Sequence, residues 1–172
     1  MSDPDYDMSP VAFTPIGVIH SIHLVPEETP IQPIYARSLP GRAEIRPEYA
    51  EGLKDLDGFS HLILLYHFHR AGPAQLTVQP FTDDKPRGLF STRHPRRPNP
   101  IGLSIVRLLR IEGTTLELED VDILDGTPLL DIKPFVPRFD MIQDPRGGWT
   151  ETVDEETAAQ RGQRRFRRGG AS

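Results

Sequence analysis

The chain reads as an all-β protein, a barrel or a sandwich, with one or two short helices and a polar C-terminal tail without fixed structure. Three observations lead there. Short alternating or apolar segments recur every 10–20 residues, with turn signals between them and no strand–helix–strand rhythm. Pro and Gly together supply 32 of the 172 residues, against about 12% in average usage, so long helices and bundles are excluded. Yet 37% of residues are hydrophobic, which supplies the core that a disordered chain lacks.

Residues 1–10 form an acidic lead-in expected to be disordered. Val11 to Ile22 holds a first strand, and Pro26 to Pro33, with three prolines in eight residues, is an extended loop. Arg42 to Arg46 alternates as a short strand. Pro47 occupies a favoured first helical position, so Pro47 to Leu56 is read as a short helix ended by Asp57-Gly58. Ser60 to His69 is the strongest strand. Leu89-Phe90, Ile101 to Ile111, Thr115 to Leu118 and Leu129 to Phe135 follow. The strand-bearing domain therefore spans 11–140. Residues 141–172 are a polar, Arg-rich tail; a weak helix over Glu151 to Arg168 is conceivable, but its polarity favours a tail.

Composition excludes several chemistries. With no Cys there is no disulfide scaffold, thiolate metal site, Cys nucleophile or iron–sulfur cluster. The N-terminus lacks the basic and apolar regions of a secretory signal, and Leu62 to Tyr66, the longest apolar run, is too short to cross a bilayer. A cytoplasmic protein without membrane contact is expected. Net charge is −5, but five Arg between Arg161 and Arg168 leave a body with 15 basic and 25 acidic residues. No G-x-S-x-G, G-x-x-x-x-G-K-[ST] or G-x-G-x-x-G motif occurs.

Two segments concentrate polar chemistry. In Arg87 to Ser104, Pro95, Pro98 and Pro100 hold an extended, polyproline-like course. Three residues per turn would put Arg93, Arg96 and Asn99 on one side, with His94 and Arg97 on another. Such a loop suits phosphate, carboxylate or a base edge, or else its Arg residues simply pair with the acidic surface. In Asp122 to Pro134, Asp125-Gly126 is a turn signal, and Leu129, Asp131 and Lys133 share a strand face on which Asp131 and Lys133 pair. Asp125 could hold a ribose hydroxyl or an amine, or cap its own turn. His67 and His69 form an H-x-H pair with His61 as a conceivable third ligand. No metal motif supports it, and a His facing a pocket is the better functional reading, so no metal is expected.

The segments Ile16-Gly17-Val18-Ile19, Gly58-Phe59-Ser60-His61-Leu62, Phe68-His69-Arg70, Phe90-Ser-Thr-Arg93, Arg97-Pro-Asn-Pro-Ile-Gly-Leu-Ser104 and Asp125-Gly-Thr-Pro-Leu-Leu-Asp-Ile-Lys-Pro134 resemble the TsaA/TrmO family (also YaeB or VirR-like), over about Phe13 to Phe139. That family's members are S-adenosylmethionine-dependent tRNA methyltransferases built on one β-barrel, so the resemblance implies a single β-barrel over 11–140. The resemblance implies S-adenosyl-L-methionine as cofactor, a homodimer, and a tRNA substrate carrying N6-threonylcarbamoyladenosine beside the anticodon, at position 37. It places the cofactor against Pro30, Ile31, Gln32, His69, Arg70, Arg93, Leu103, Asp125, Gly126, Thr127 and Pro128. Family members usually have Arg where this chain has Ile31, which removes that side chain from the pocket. His69 or Asp125 is the candidate catalytic base. Arg93, Arg96, Arg97 and Asn99 are the candidate RNA contacts. Two rival readings use the same residues: a non-catalytic RNA-binding barrel, and a small-molecule methyltransferase that meets no nucleic acid.

Overall fold

The computed structural model describes residues 7–164. Its longest strand, β6 (Ile101–Glu112), shows how the barrel is built: Gly102, Ser104, Val106 and Leu108 point inward and are buried, while Ile101, Leu103, Ile105 and Leu109 point outward. This period of two is what a sheet closed on itself demands. With β1 (Gly17–Ser21), β2 (Pro40–Ile45), β3 (His61–His67), β7 (Thr115–Glu119) and β8 (Thr127–Pro134) it forms a closed barrel in the order β1-β2-β7-β6-β3-β8. Every pairing is antiparallel. Closure leaves no barrel edge to pair with another chain. Ile19, Ala43, Leu62, Leu64, Val106, Leu116, Leu118 and Leu129 fill the interior.

Two register shifts redirect side chains, one between β3 and β8 and one between β6 and β7, where Leu109 is the extra residue between Leu108 and Arg110. Between β3 and β8 the pairing passes from Leu65↔Asp131 to Tyr66↔Leu129, leaving Leu130 as an extra residue. This bulge breaks the expected face-sharing of Leu129 with Asp131 and Lys133. Leu129 is fully buried, whereas Asp131 and Lys133 face solvent and pair at 2.8 Å, as the sequence suggested. The β6–β7 hairpin turns at Gly113, whose φ of +61° favours glycine.

Several expected elements differ. The first strand is shorter than Val11 to Ile22, because residues before Gly17 lack ladder partners apart from Ile16, whose N–H donates to Leu129 O. Pro47–Leu53 and Leu56–Gly58 are 3-10 turns rather than one α-helix, separated by Asp55 at φ +64°. Leu89-Phe90 is not a strand: Leu89–Ser91 is a 3-10 turn that follows a small sheet of β4 (Thr77–Val78) and β5 (Arg87–Gly88).

The C-terminal segment contains the largest departure. After α1 (Pro137–Asp140), residues Glu155–Gln163 form a second α-helix, α2. Asp154 caps it by accepting the Thr157 N–H at 2.8 Å, and Glu155 and Glu156 occupy the positive first turn. The helix docks by backbone: Ile31 N–H donates to Gly162 O at 3.0 Å, and a Cβ on Gly162 would stand 2.4 Å from the Tyr35 ring. That close fit needs glycine and leaves no apolar stripe for sequence inspection to find. The polar tail expected over 141–172 is thus partly helical. Met1 to Tyr6 of the lead-in, and Arg165, Arg167 and Arg168, lie outside the described residues.

Candidate active site

β3 and β6 end together at one rim of the barrel, where His67 pairs with Ile101. Beyond the rim the chain turns sharply, His69 N–H reaching His67 O at 2.7 Å and Ala71 N–H reaching Phe68 O at 3.0 Å. The turn, the Pro26–Arg37 loop, the 90–97 loop, Asp122 to Leu124 and the 149–164 segment enclose a cavity of about 1260 Å³. Sites for one small ligand run to about 300–1,000 Å³, so this cavity has room for two ligands side by side. Its walls carry Tyr35, Tyr66, Phe68, Phe81, Phe90 and Trp149, and five Arg (37, 70, 93, 97, 164) against two carboxylates, Asp122 and Glu155. Aromatic faces with excess guanidinium suit purine rings together with anionic groups.

The structure brings together most of the residues singled out from sequence. Pro30, Ile31, Gln32, His69, Arg70, Arg93, Arg97, Leu103 and Thr127 all line the cavity. Gln32 ties two loops, its Oε1 accepting from Arg93 Nη1 at 2.5 Å. Arg97 donates to the Thr92 carbonyl at 2.9 Å and lies 5.7 Å from the Phe90 ring centre, so it braces the loop as well as facing the cavity. The polyproline grouping does not hold: Arg97 N–H bonds Pro95 O at 2.8 Å, a tight turn that puts Arg93 and Arg97 on the cavity and sends Arg96 towards Gly72. Arg96 has no ion pair among the described residues, and Asn99 is exposed outside the cavity lining.

The two candidate bases part company. His69 faces the cavity with Nδ1 3.4 Å from Thr127 Oγ1, whose own proton is spent on Leu124 O at 2.6 Å. Burial first, then the charges of Arg70 and His67, hold this imidazole below its ordinary range, so it is neutral at pH 7. Asp125 is not among the lining residues. Its Oδ1 accepts the Ser21 N–H at 3.0 Å and lies 3.3 Å from His20 Nδ1, tying the turn to the end of β1. Gly126, at φ +76°, gives that turn its left-handed step, and Pro128 lies in the β8 ladder opposite Val18. His61 sits at the other end of β3, hydrogen-bonded to Ser60, far from His69 in register.

Sequence inspection missed two contributors. One is Asp122, 6% exposed, which lines the cavity floor and accepts the Ser104 hydroxyl at 2.6 Å; Ser104 Oγ is in turn 2.9 Å from Tyr66 Oη. Burial pushes the Asp122 carboxyl up to about 7. The other is the 149–164 segment. Trp149 Nε1–H donates to Ser91 O at 2.8 Å, and Arg164 lies 4.2 Å from the Phe81 ring centre. Phe81 itself stacks on His94 at 5.4 Å.

A closed antiparallel barrel whose interior is packed with side chains, and whose cavity lies at the rim among loops with aromatic and Arg walls, defines a rim-site barrel protein. A profile for the tRNA-methyltransferase O N-terminal domain matches residues 18–141. The chain belongs to that family. It is 52% identical to a probable S-adenosyl-L-methionine-binding protein of Pyrococcus abyssi, over 82% of this chain and 77% of that one. It is 34% identical to the tRNA (adenine(37)-N6)-methyltransferase of Escherichia coli, over 85% of this chain and 66% of that one. A crystal structure of TrmO from Pseudomonas aeruginosa superposes with a TM-score of 0.68 at 38% identity, covering 81% of this chain and 62% of that one. The chain thus spans less than two thirds of the length of the Escherichia coli and Pseudomonas aeruginosa relatives.

Proposed function

We propose that the protein is an S-adenosylmethionine-dependent methyltransferase acting on N6 of adenosine 37 in tRNA, with the threonylcarbamoyl-modified base as acceptor. The observation that carries the reading is the cavity itself. It has room for a nucleoside cofactor beside an everted base, aromatic walls for both rings, and Arg93 and Arg97 facing the space where a threonyl carboxylate or phosphate would lie. Pro30, Ile31, Gln32, His69, Arg70, Leu103 and Thr127 are the residues that would hold the cofactor, Ile31 through its aliphatic side chain, since its N–H is spent on Gly162 O. Bound there, S-adenosylmethionine supplies an electrophilic methyl group on a sulfonium. The protein orients the acceptor for in-line attack, excludes water with its loops, and removes the acceptor's proton.

The outer face of β3 and β6 supports a homodimer. Ile63 pairs with Ile105 and Leu65 with Leu103, and the exposed row Ile101, Leu103, Ile105 runs straight to the cavity mouth, so a second copy seated there would close the site. Among the described residues no helix is long and apolar enough to cross a membrane.

Transfer of labelled methyl from the cofactor to tRNA, with and without the threonylcarbamoyl group, tests the assignment. Incorporation only into the modified tRNA is expected. Incorporation into unmodified tRNA alone would remove the threonylcarbamoyl acceptor. Thermal melting separates the rivals: a non-catalytic RNA-binding barrel shows no rise in Tm with millimolar S-adenosylmethionine, and a small-molecule methyltransferase shows the rise but no tRNA binding. Arg96, outside the cavity and without an ion pair among the described residues, is positioned for phosphate. Arg96→Ala is expected to weaken binding of all tRNAs alike and to reduce the salt slope of log K by about one; an unchanged slope rules out a phosphate contact.

A further inference from the structure

Tyr66, Ser104 and Asp122 come from β3, β6 and the segment after β7, and form one chain of hydrogen bonds. Tyr66 and Asp122 both line the cavity, while Ser104 between them is 1% exposed. Ser104 has a single hydroxyl proton and gives it to Asp122 Oδ1 at 2.6 Å, so at the 2.9 Å contact it accepts from Tyr66. Every buried side-chain nitrogen and oxygen among the described residues has a hydrogen-bond partner. A carboxylic acid at Asp122 would donate back to Ser104, Ser104 to Tyr66, and no heavy atom would move. A buried chain that serves either protonation state, with both ends on the cavity, is a proton store.

We propose that the Asp122 carboxylate, held by Ser104 and Tyr66, accepts the proton released when the nitrogen of the acceptor is methylated. The inference rests on the methyltransferase reading above. In the step, the N–H bond breaks and its electron pair stays on nitrogen. That nitrogen forms the new bond to the methyl carbon, and the sulfur keeps the pair of the broken S–C bond as a neutral thioether. The proton passes to Asp122, which becomes a neutral acid and returns it to water when product leaves. Tyr66 from β3 and Arg93 from the 90–97 loop are the titratable and charged groups acting on Asp122; burial outweighs the Arg93 charge and leaves the carboxyl half-protonated near neutrality. That is where a general base works best. His69, kept neutral by a lowered basicity, is the weaker acceptor.

The test combines single-turnover transfer to tRNA as a function of pH, binding of S-adenosylmethionine and S-adenosylhomocysteine, and carboxyl carbon resonances of Asp-labelled full-length protein. Asp122→Asn is expected to slow transfer at least 100-fold at pH 8, to remove the rise in rate between pH 6 and 8, to leave both affinities within threefold, and to delete one resonance titrating near pH 7. Tyr66→Phe withdraws a donor from the carboxylate side of the chain and is expected to move the limb to higher pH; if Asp122→Asn fails to fold, an unmoved limb here overturns the inference. Transfer within threefold of wild type by Asp122→Asn overturns it. So does a limb that survives Asp122→Asn and vanishes in His69→Gln. Selective loss of S-adenosylmethionine over S-adenosylhomocysteine, with the bound complex still reacting at the wild-type rate, makes Asp122 a partner for the sulfonium charge and overturns it as well. A wild type that transfers methyl to no tRNA refutes the parent reading and this inference together, whereas a fast Asp122→Asn refutes this inference alone.

Discussion

Asp122→Asn makes the protein more stable than wild type at pH 8, and the advantage disappears below about pH 4. The sign follows from linkage. In the unfolded chain this carboxyl titrates at its ordinary 3.8, and in the folded barrel at about 7. Between those values the native state holds a proton that the unfolded state has lost, so stability falls as pH rises through the window and is flat above it. Asn carries the hydrogen bond from Ser104 without ever becoming charged. About three pH units at roughly 1.4 kcal/mol each set the gain on the order of 4 kcal/mol above pH 7. Urea unfolding at pH 4, 6 and 8 checks this. A difference between variant and wild type that does not change with pH shows that the carboxyl is not raised. A gain in stability beside a loss of turnover is the trade expected where a buried charge is kept for chemistry.

Gly102→Ala has the second large effect. Gly102 faces inward on β6 opposite Tyr66, and an added Cβ would stand 2.2 Å from the Tyr66 ring and 2.5 Å from the ring carbon bearing its hydroxyl. Tyr66 is 5% exposed and packs edge-on against Phe68 at 5.4 Å, so it cannot swing aside without disturbing the cavity wall. Overpacking of this kind costs about 1–3 kcal/mol. Displacing the ring also separates Tyr66 from Ser104. The expected result is a fall in the urea midpoint together with at least a tenfold weaker affinity for S-adenosylmethionine by calorimetry. Wild-type affinity in a folded Gly102→Ala protein shows that the Tyr66 ring does not shape the cofactor side of the cavity.

The β architecture was legible because short apolar or alternating segments, such as Leu62 to Tyr66 and Arg42 to Arg46, recur along the chain and turn residues mark most of their ends. Alternation cannot reveal Leu130, since a bulge is a property of two strands in register and appears in neither strand alone. Helix α2 carried its start signal in Asp154-Glu-Glu156, but its attachment through Gly162 and Ile31 is a backbone contact that leaves no hydrophobic period to read. In the site, the Arg-rich loop and His69-Arg70 stood out by residue type. Asp122 did not, because Asp125-Gly126 nearby offers the stronger turn signal. Its partner is the one polar residue among the buried inward positions Gly102, Ser104, Val106 and Leu108 of β6, and such a residue needs a buried acceptor.

Trp149, Ala158, Ala159 and Arg164 give the cavity one wall, yet all follow the stretch 18–141 that the family profile covers. The part of the chain that ties it to its family and the part that sets the width of its binding chamber are therefore different stretches of sequence. Two proteins with the same barrel can differ in this appended wall, and with it in the shape of the space beside the rim.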